Sequence, residues 1–243
     1  VTRAPAKVAA LFGKEGAAAT PAGNSLGLLR CAWRIPLMLL VVVGGCLLAI
    51  FLLAHGPKPG TAGAGLLRNW SRLFLRCFGV RVQRVGEPLH DPVMFVANHG
   101  SWMDITVLHA IRPADFVAKA EIGRWPLVGW MARRGGTIFH QRGSTDSLAQ
   151  VMAVMSDRLR AGRSIAAFPE GGTAPAGTLK VFHARILQAA LDAAAPVQPV
   201  ALRYLRNGVP APDILFTRGE SFLHNVGRVL ATRRLTAEVQ FLK

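Results

Sequence analysis

Residues 96–105, VANHGSWMDI, place an imidazole and a carboxylate where an apolar run ends. Val93, Met94, Phe95 and Val96 give way to Asn98 and His99, and Asp104 follows five positions after the histidine. On a continuous helix that offset would turn the two side chains roughly 140° apart. They can meet only if His99 lies in the turn before a helix that Asp104 opens. Gly100 and Ser101 permit such a break, and a carboxylate in the first helical turn is favoured by the helix dipole. An acid bonded to one ring nitrogen leaves the other free to take a proton, the orienting role of the aspartate in a serine-protease triad. No protein nucleophile is needed if the substrate brings its own hydroxyl. A core histidine satisfied by a backbone carbonyl has the same local sequence, so the pair gains weight from its surroundings.

Those surroundings are strands alternating with helices. VRVQRV, from Val80, alternates as a half-buried strand, and PVMFVAN reads as a continuous apolar one. GGTIF, SIAAF and VQPVALRY are further strand candidates. Between them STDSLAQVMAVMSDRLRAG carries Leu148, Val151, Met152, Met155 and Leu159 on one helical face and ends before Gly162. A second helix is expected over 181–194, stopping before Pro196. The pattern predicts an α/β domain whose mixed, largely parallel sheet is flanked by helices. In such a sheet the functional crevice lies beyond the carboxyl ends of the strands. Asn98 and His99, then His140, Gln141 and Arg142, then Pro169, Glu170 and Gly171, and finally Arg203 fall at or near such ends.

The chain of 243 residues is apolar enough for a substantial core, and its Lys and Arg outnumber Asp and Glu by 29 to 13. That balance calls for an anionic partner: nucleic acid, an anionic membrane surface or a phosphorylated substrate. From Ile35 to Ala54 no residue is charged, and about 20 such residues suffice for a helix to span the hydrocarbon core. Pro36 is placed near the start of that helix, where a missing donor is tolerated. Arg30 and Arg34 precede the run and Lys58 and Arg68 follow it, so the positive-inside rule casts no vote on orientation. Residues 55–65 read as a Gly/Pro linker, followed by a basic amphipathic helix with Arg68, Arg72 and Arg76 four apart. That helix suits a headgroup layer or a packed position with a solvated basic face. The expected organisation is a flexible leader over 1–30, an anchor and interfacial helix over 31–78, and a catalytic domain over 79–243. Cys31, Cys46 and Cys77 have no CxxC spacing, which leaves neither a disulfide scaffold nor a zinc ribbon to expect. GNSLG at 23–27 fits the hydrolase elbow pattern but follows no strand.

His99 and Asp104 match the HxxxxD motif, and the chain resembles the glycerolipid acyltransferases, the family of 1-acylglycerol-3-phosphate acyltransferases. FPEGGT (168–173) resembles that family's FPEGT signature, GGTIFHQR its intervening block ending in an arginine, and VQPVAL its apolar block with a central proline, Pro199. The four blocks stand in the family's order between about Leu73 and Leu230. The resemblance implies a glycerol-3-phosphate acyltransferase-like fold and a membrane-bound O-acyltransferase without metal or cofactor. An acyl-CoA or acyl-carrier protein would donate to the hydroxyl of a lysolipid, with 1-acylglycerol-3-phosphate going to phosphatidate. His99 would be the general base and Asp104 its orienting acid. Asn98, Ser101, Arg142, Glu170, Gly171, Gly172 and Thr173 would contact the acceptor, with Arg142 on its anionic group. The expected location is a membrane, the bacterial inner membrane with the catalytic domain on the cytoplasmic face.

Two departures favour an alternative acceptor. Gly172 stands where the family usually has threonine, and Ala174 follows Thr173, so the arginine sometimes found there is absent. TLKVFHARILQAA together with VQPVALRY looks more like the branch that acylates lyso-ornithine lipids, and Lys180 or Arg185 could replace the missing cation. A different class of protein, a catalytically inactive membrane-tethered lipid binder, would not need the intact histidine and aspartate. Nucleic acid is disfavoured by the membrane run and by the few aromatics among the arginines.

Overall fold

The computed structural model describes residues 24–52, 58–90, 92–141, 143, 145–173, 180–217 and 219–243. Its centre is β2 (Met94–Ala97), buried at all four positions. β5 (Ile165–Ala167) and β6 (Val197–Arg206) flank it, both parallel to it. The apolar run has this form because both faces are covered. Phe95 and Ala97 enter one core with Val107, Leu108 and Phe116; Met94 and Val96 enter a second with Val151, Met155 and Leu159.

The sheet has eight strands, in the order β1-β8-β6-β2-β5-β3-β4, with β7 (Val209–Pro210) pairing to β6. β3 (Asp115–Lys119) and β4 (Ile138–His140) extend the parallel side. β8 (Leu235–Phe241) runs antiparallel to β6 and parallel to β1 (Val80–Val85), so the sheet is mixed at that edge. The expected mixed, largely parallel α/β architecture is the one found.

Two long helices precede the sheet: α1 (Asn24–Leu52) and α2 (Ala62–Cys77). α1 starts within the segment expected as a leader, and Pro36 therefore lies in its interior rather than its first turn. α1 gains partners early: Arg30 donates to the Ala231 carbonyl, and Arg34 to those of Leu230 and Thr232. Those carbonyls close α8 (Phe222–Ala231), a helix C-terminus where cations are favoured. α2 takes over the end of the expected linker because Thr61 caps it, accepting from the Ala64 amide. Its apolar face packs on α1, β1 and α3 (Asp104–His109), with Leu67 and Leu75 buried and its three arginines exposed. Trp70 Nε1 donates to the Val41 carbonyl of α1.

Between β3 and β4 lie the short α4 (Ala120–Gly123) and α5 (Pro126–Arg134). α6 (Thr145–Arg160) buries Val151, Met155 and Leu159 as its periodicity requires. The helix expected over 181–194 is shorter than that: a 3-10 turn (Ala184–Leu187) leads into α7 (Gln188–Asp192). His183 is extended, at φ −80° and ψ 91°, with its amide on the Pro169 carbonyl, so helical geometry begins only after it.

Candidate active site

β2 delivers His99 to its carboxyl end, and α3 opens at Asp104 directly after the GSWM turn. The turn brings the pair together: His99 Nδ1 lies 2.8 Å from Asp104 Oδ2. Because the carboxylate can only accept, Nδ1 carries the proton and Nε2 presents a lone pair. Among the described residues nothing bonds to Nε2. The imidazole stacks on Phe168 at a centroid distance of 4.2 Å, and Phe168 stacks in turn on Phe116. One ring face and one nitrogen are thus fixed while the other nitrogen stays open.

Asp104 is fully buried, and a buried carboxylate must be compensated by donors. The amides of Gly100 and Ser101 reach Oδ2 at 2.8 and 2.9 Å. Tyr204 donates its hydroxyl to Oδ1 at 2.5 Å. Four donors hold the acid in a single pose, which passes to His99. Burial and the neighbouring carboxylate push the Tyr204 phenol well above its ordinary range, so it stays a donor.

Glu170 belongs to this centre but works on the backbone. Its Oε1 accepts from the His99 amide at 2.8 Å and its Oε2 from the Lys180 amide at 3.1 Å. It ties the turn after β2 to the loop after β5. Gly171 has φ +66°, in the left-handed region, and the His183 ring lies where a Cβ would be met at 3.6 Å. Gly172 and Thr173 follow, half-buried.

Ser101 and Asn98, expected at the acceptor, have polar atoms engaged within the protein. Ser101 is wholly enclosed, accepting from the Met103 amide and bonding to Tyr204, because the turn folds it inward beside Asp104. Asn98 spends both ends of its amide on Leu202 of β6, donating to the carbonyl and accepting from the amide. It continues the ladder one residue past β2. Arg203 faces away from the dyad in another pairing, with Glu238 of β8. Arg142 lies outside the described residues. His140, two positions earlier, ends β4 with Nδ1 at 3.1 Å from Ser147 Oγ. β4 is three strand steps from β2, roughly 14 Å on the usual spacing. Among the described residues no three of His, Cys, Asp and Glu gather as metal ligands.

Tyr204 and the stacking of Phe168 were not assigned from sequence. The available signal was phase: Val200, Leu202 and Tyr204 alternate on one face of β6 and are buried there.

The carboxyl end of the central strand thus carries a buried acid behind an imidazole whose Nε2 is open among the described residues. The chain belongs to the Acyltransferase family, whose sequence profile matches residues 80–203. It is 38% identical to a lyso-ornithine lipid O-acyltransferase of Pseudomonas aeruginosa, over 88% of this chain and 84% of that one. A second protein of that name, from Rhodobacter capsulatus, is 31% identical over 87% and 80%. A 1-acyl-sn-glycerol-3-phosphate acyltransferase of Neisseria meningitidis is 32% identical over 65% and 66%. In fold, the chain resembles the crystal structure of the acyltransferase PlsC from Thermotoga maritima, with a TM-score of 0.63 at 18% identity, covering 89% and 84% of the two chains.

Proposed function

We propose that the protein transfers an acyl chain from a thioester, an acyl-CoA or acyl-carrier protein, to the free hydroxyl of a lysolipid, with His99 as general base. The observation that carries this reading is the open Nε2 of an imidazole whose other nitrogen is held by buried Asp104. Nε2 takes the hydroxyl proton as the oxygen attacks the thioester carbonyl. The tetrahedral intermediate collapses, the C–S bond breaks, and the imidazolium returns the proton to the leaving thiolate. This sequence forms no acyl-enzyme. Lyso-ornithine lipid is the preferred acceptor, supported by the two relatives of that name that align over most of this chain. 1-Acylglycerol-3-phosphate is the second, supported by the neisserial relative.

The same reading places the protein on a membrane surface. α1 is long and apolar enough to cross a bilayer, yet it contacts the domain along its length. Gly27 lies against Ala231, Val41 and Gly45 against Trp70, and Cys46 against Met131. From Gly27 to Cys46 is roughly 28 Å of helix. The opposite face exposes Leu29, Trp33, Leu40, Val43 and Leu47, and Leu66 and Leu73 of α2 are exposed as well. This supports an α1 that lies in the interface with one apolar side in lipid. Arg68, Arg72 and Arg84 line a cavity of about 340 Å³ between α2, β1 and the end of α3, suited to anionic headgroups.

Mass spectrometry of the products tests the reaction. Purified protein in detergent receives an acyl-carrier protein or acyl-CoA donor with each lysolipid in turn. A diacylated lipid is the expected product; free fatty acid alone would make the protein a hydrolase and overturn the reading. Chelation with EDTA is expected to leave the rate unchanged, since no step passes through a metal.

A further inference from the structure

Asp104 has two oxygens, and only one of them serves His99. Oδ1 faces β6 and is bonded by the hydroxyl of Tyr204 at 2.5 Å. Tyr204 is the single tyrosine of the chain and sits on the buried face of its strand. The Ser101 hydroxyl bonds in turn to the phenol oxygen, so an enclosed line of polar groups runs from Ser101 through Tyr204 and Asp104 to the imidazole.

We propose that Tyr204 is a positioning residue of the acyl-transfer site: its hydroxyl fixes the pose of Asp104 and draws charge from the oxygen that this carboxylate presents to His99. The proposal rests on His99 being the base. A donor on Oδ1 draws negative charge away from Oδ2, which weakens the attraction between Asp104 and an imidazolium. It also keeps the carboxylate from turning about its own axis, which would spoil the 2.8 Å contact to Nδ1. Among the described residues, the ionisable groups beside this turn are Glu170, which accepts from the His99 amide, Lys180, whose own amide meets that glutamate, and His183 beside Gly171. None of these changes when Tyr204 is altered.

Two changes of opposite chemical sense test this. Tyr204→Phe keeps the ring and removes the donor. Its kcat is expected to fall about tenfold or more, as for loss of a hydrogen bond to a charged group. The acidic limb of its kcat/KM profile moves to higher pH, and KM for the lysolipid changes little. Growth on 3-fluorotyrosine alters one site, because the chain has one tyrosine, and gives a stronger donor of nearly unchanged shape. The acidic limb then moves to lower pH. Should the phenylalanine variant fail to fold, the fluorinated protein carries the test alone. Limbs that stay in place, or that move in the same direction, overturn the proposal; a lowered melting temperature with an unmoved limb reduces Tyr204 to packing. His99→Ala separates the two readings. If that variant keeps its activity, the general-base reading fails; if it is inactive while neither tyrosine change moves the limb, only the role of Tyr204 fails.

Discussion

Asp104 concentrates the demands of the site on one side chain. Three donors meet its Oδ2 and a fourth meets its Oδ1, and the carboxylate itself is out of contact with water. Asp104→Asn therefore has no satisfactory orientation, because either rotamer of the amide sets its NH2 against another donor. It should lose about 1–3 kcal/mol of stability and at least 10²-fold in kcat by analogy with a triad aspartate, read from thermal melts and turnover on the same sample. The histidine and the acid were legible in the sequence because their geometry is local, five positions across one turn. Tyr204 was not, since it reaches Asp104 from a hundred residues away through the register of β6 against β2. Ser101 and Asn98 were legible as polar residues near the base; the bonds they make, to the Met103 amide and to Leu202 of β6, depend on tertiary structure and were not.

Strands and longer helices followed from apolar phase, and where phase was broken by a tertiary bond the reading went astray. The turn at 184–187 is the example: the Pro169 carbonyl holds His183 in an extended conformation, and the helix starts only beyond it. Glu170 fastens the loop after β5 to the turn after β2, a link that a motif shows as residue type but not as geometry. α3 carries a second histidine, His109, which no proposed step uses. It is enclosed, its Nδ1 has no partner among the described residues, and its ring meets Phe116 edge-on at 4.8 Å. Burial lowers its pKa to about 4, against about 6.5 in an unfolded chain. The unfolded state thus binds the proton more readily between those values. Stability should rise with pH from about 4 to about 6.5, by an amount on the order of 3 kcal/mol. Melting temperatures across that range, compared with His109→Leu, check it; the variant should show a flatter profile.

The apolar run over 35–54 was visible at once as uncharged and long enough to span a bilayer. What it could not reveal is that α1 begins earlier and is stapled to the catalytic domain by its own arginines. Arg30 and Arg34 lie one helical turn apart and end on the carbonyls that close α8. α8 in turn holds Trp102, through Asn225 Oδ1 at 2.8 Å and through the ring of Phe222, one residue from the buried Ser101. Arg34→Ala leaves two carbonyls without their donor and is expected to cost about 1–3 kcal/mol. It should also increase proteolysis of α1 in detergent, with cleavage between α1 and α2 as the readout. The net charge of +16 and the exposed arginines of α2 predict binding to anionic vesicles that weakens as salt is added. Flotation with phosphatidylglycerol against phosphatidylcholine vesicles measures this, and Arg68→Gln with Arg72→Gln and Arg84→Gln should reduce the difference.

The central claim is that the imidazole at the end of β2 takes the proton from the lipid hydroxyl. Single-turnover acyl transfer, compared between the parent protein and His99→Ala under saturating donor and acceptor, addresses it most directly. The account predicts a fall of about 10²- to 10⁴-fold in the chemical rate, with melting behaviour and vesicle binding preserved. A rate within a few-fold of the parent would contradict it and assign the proton to another group.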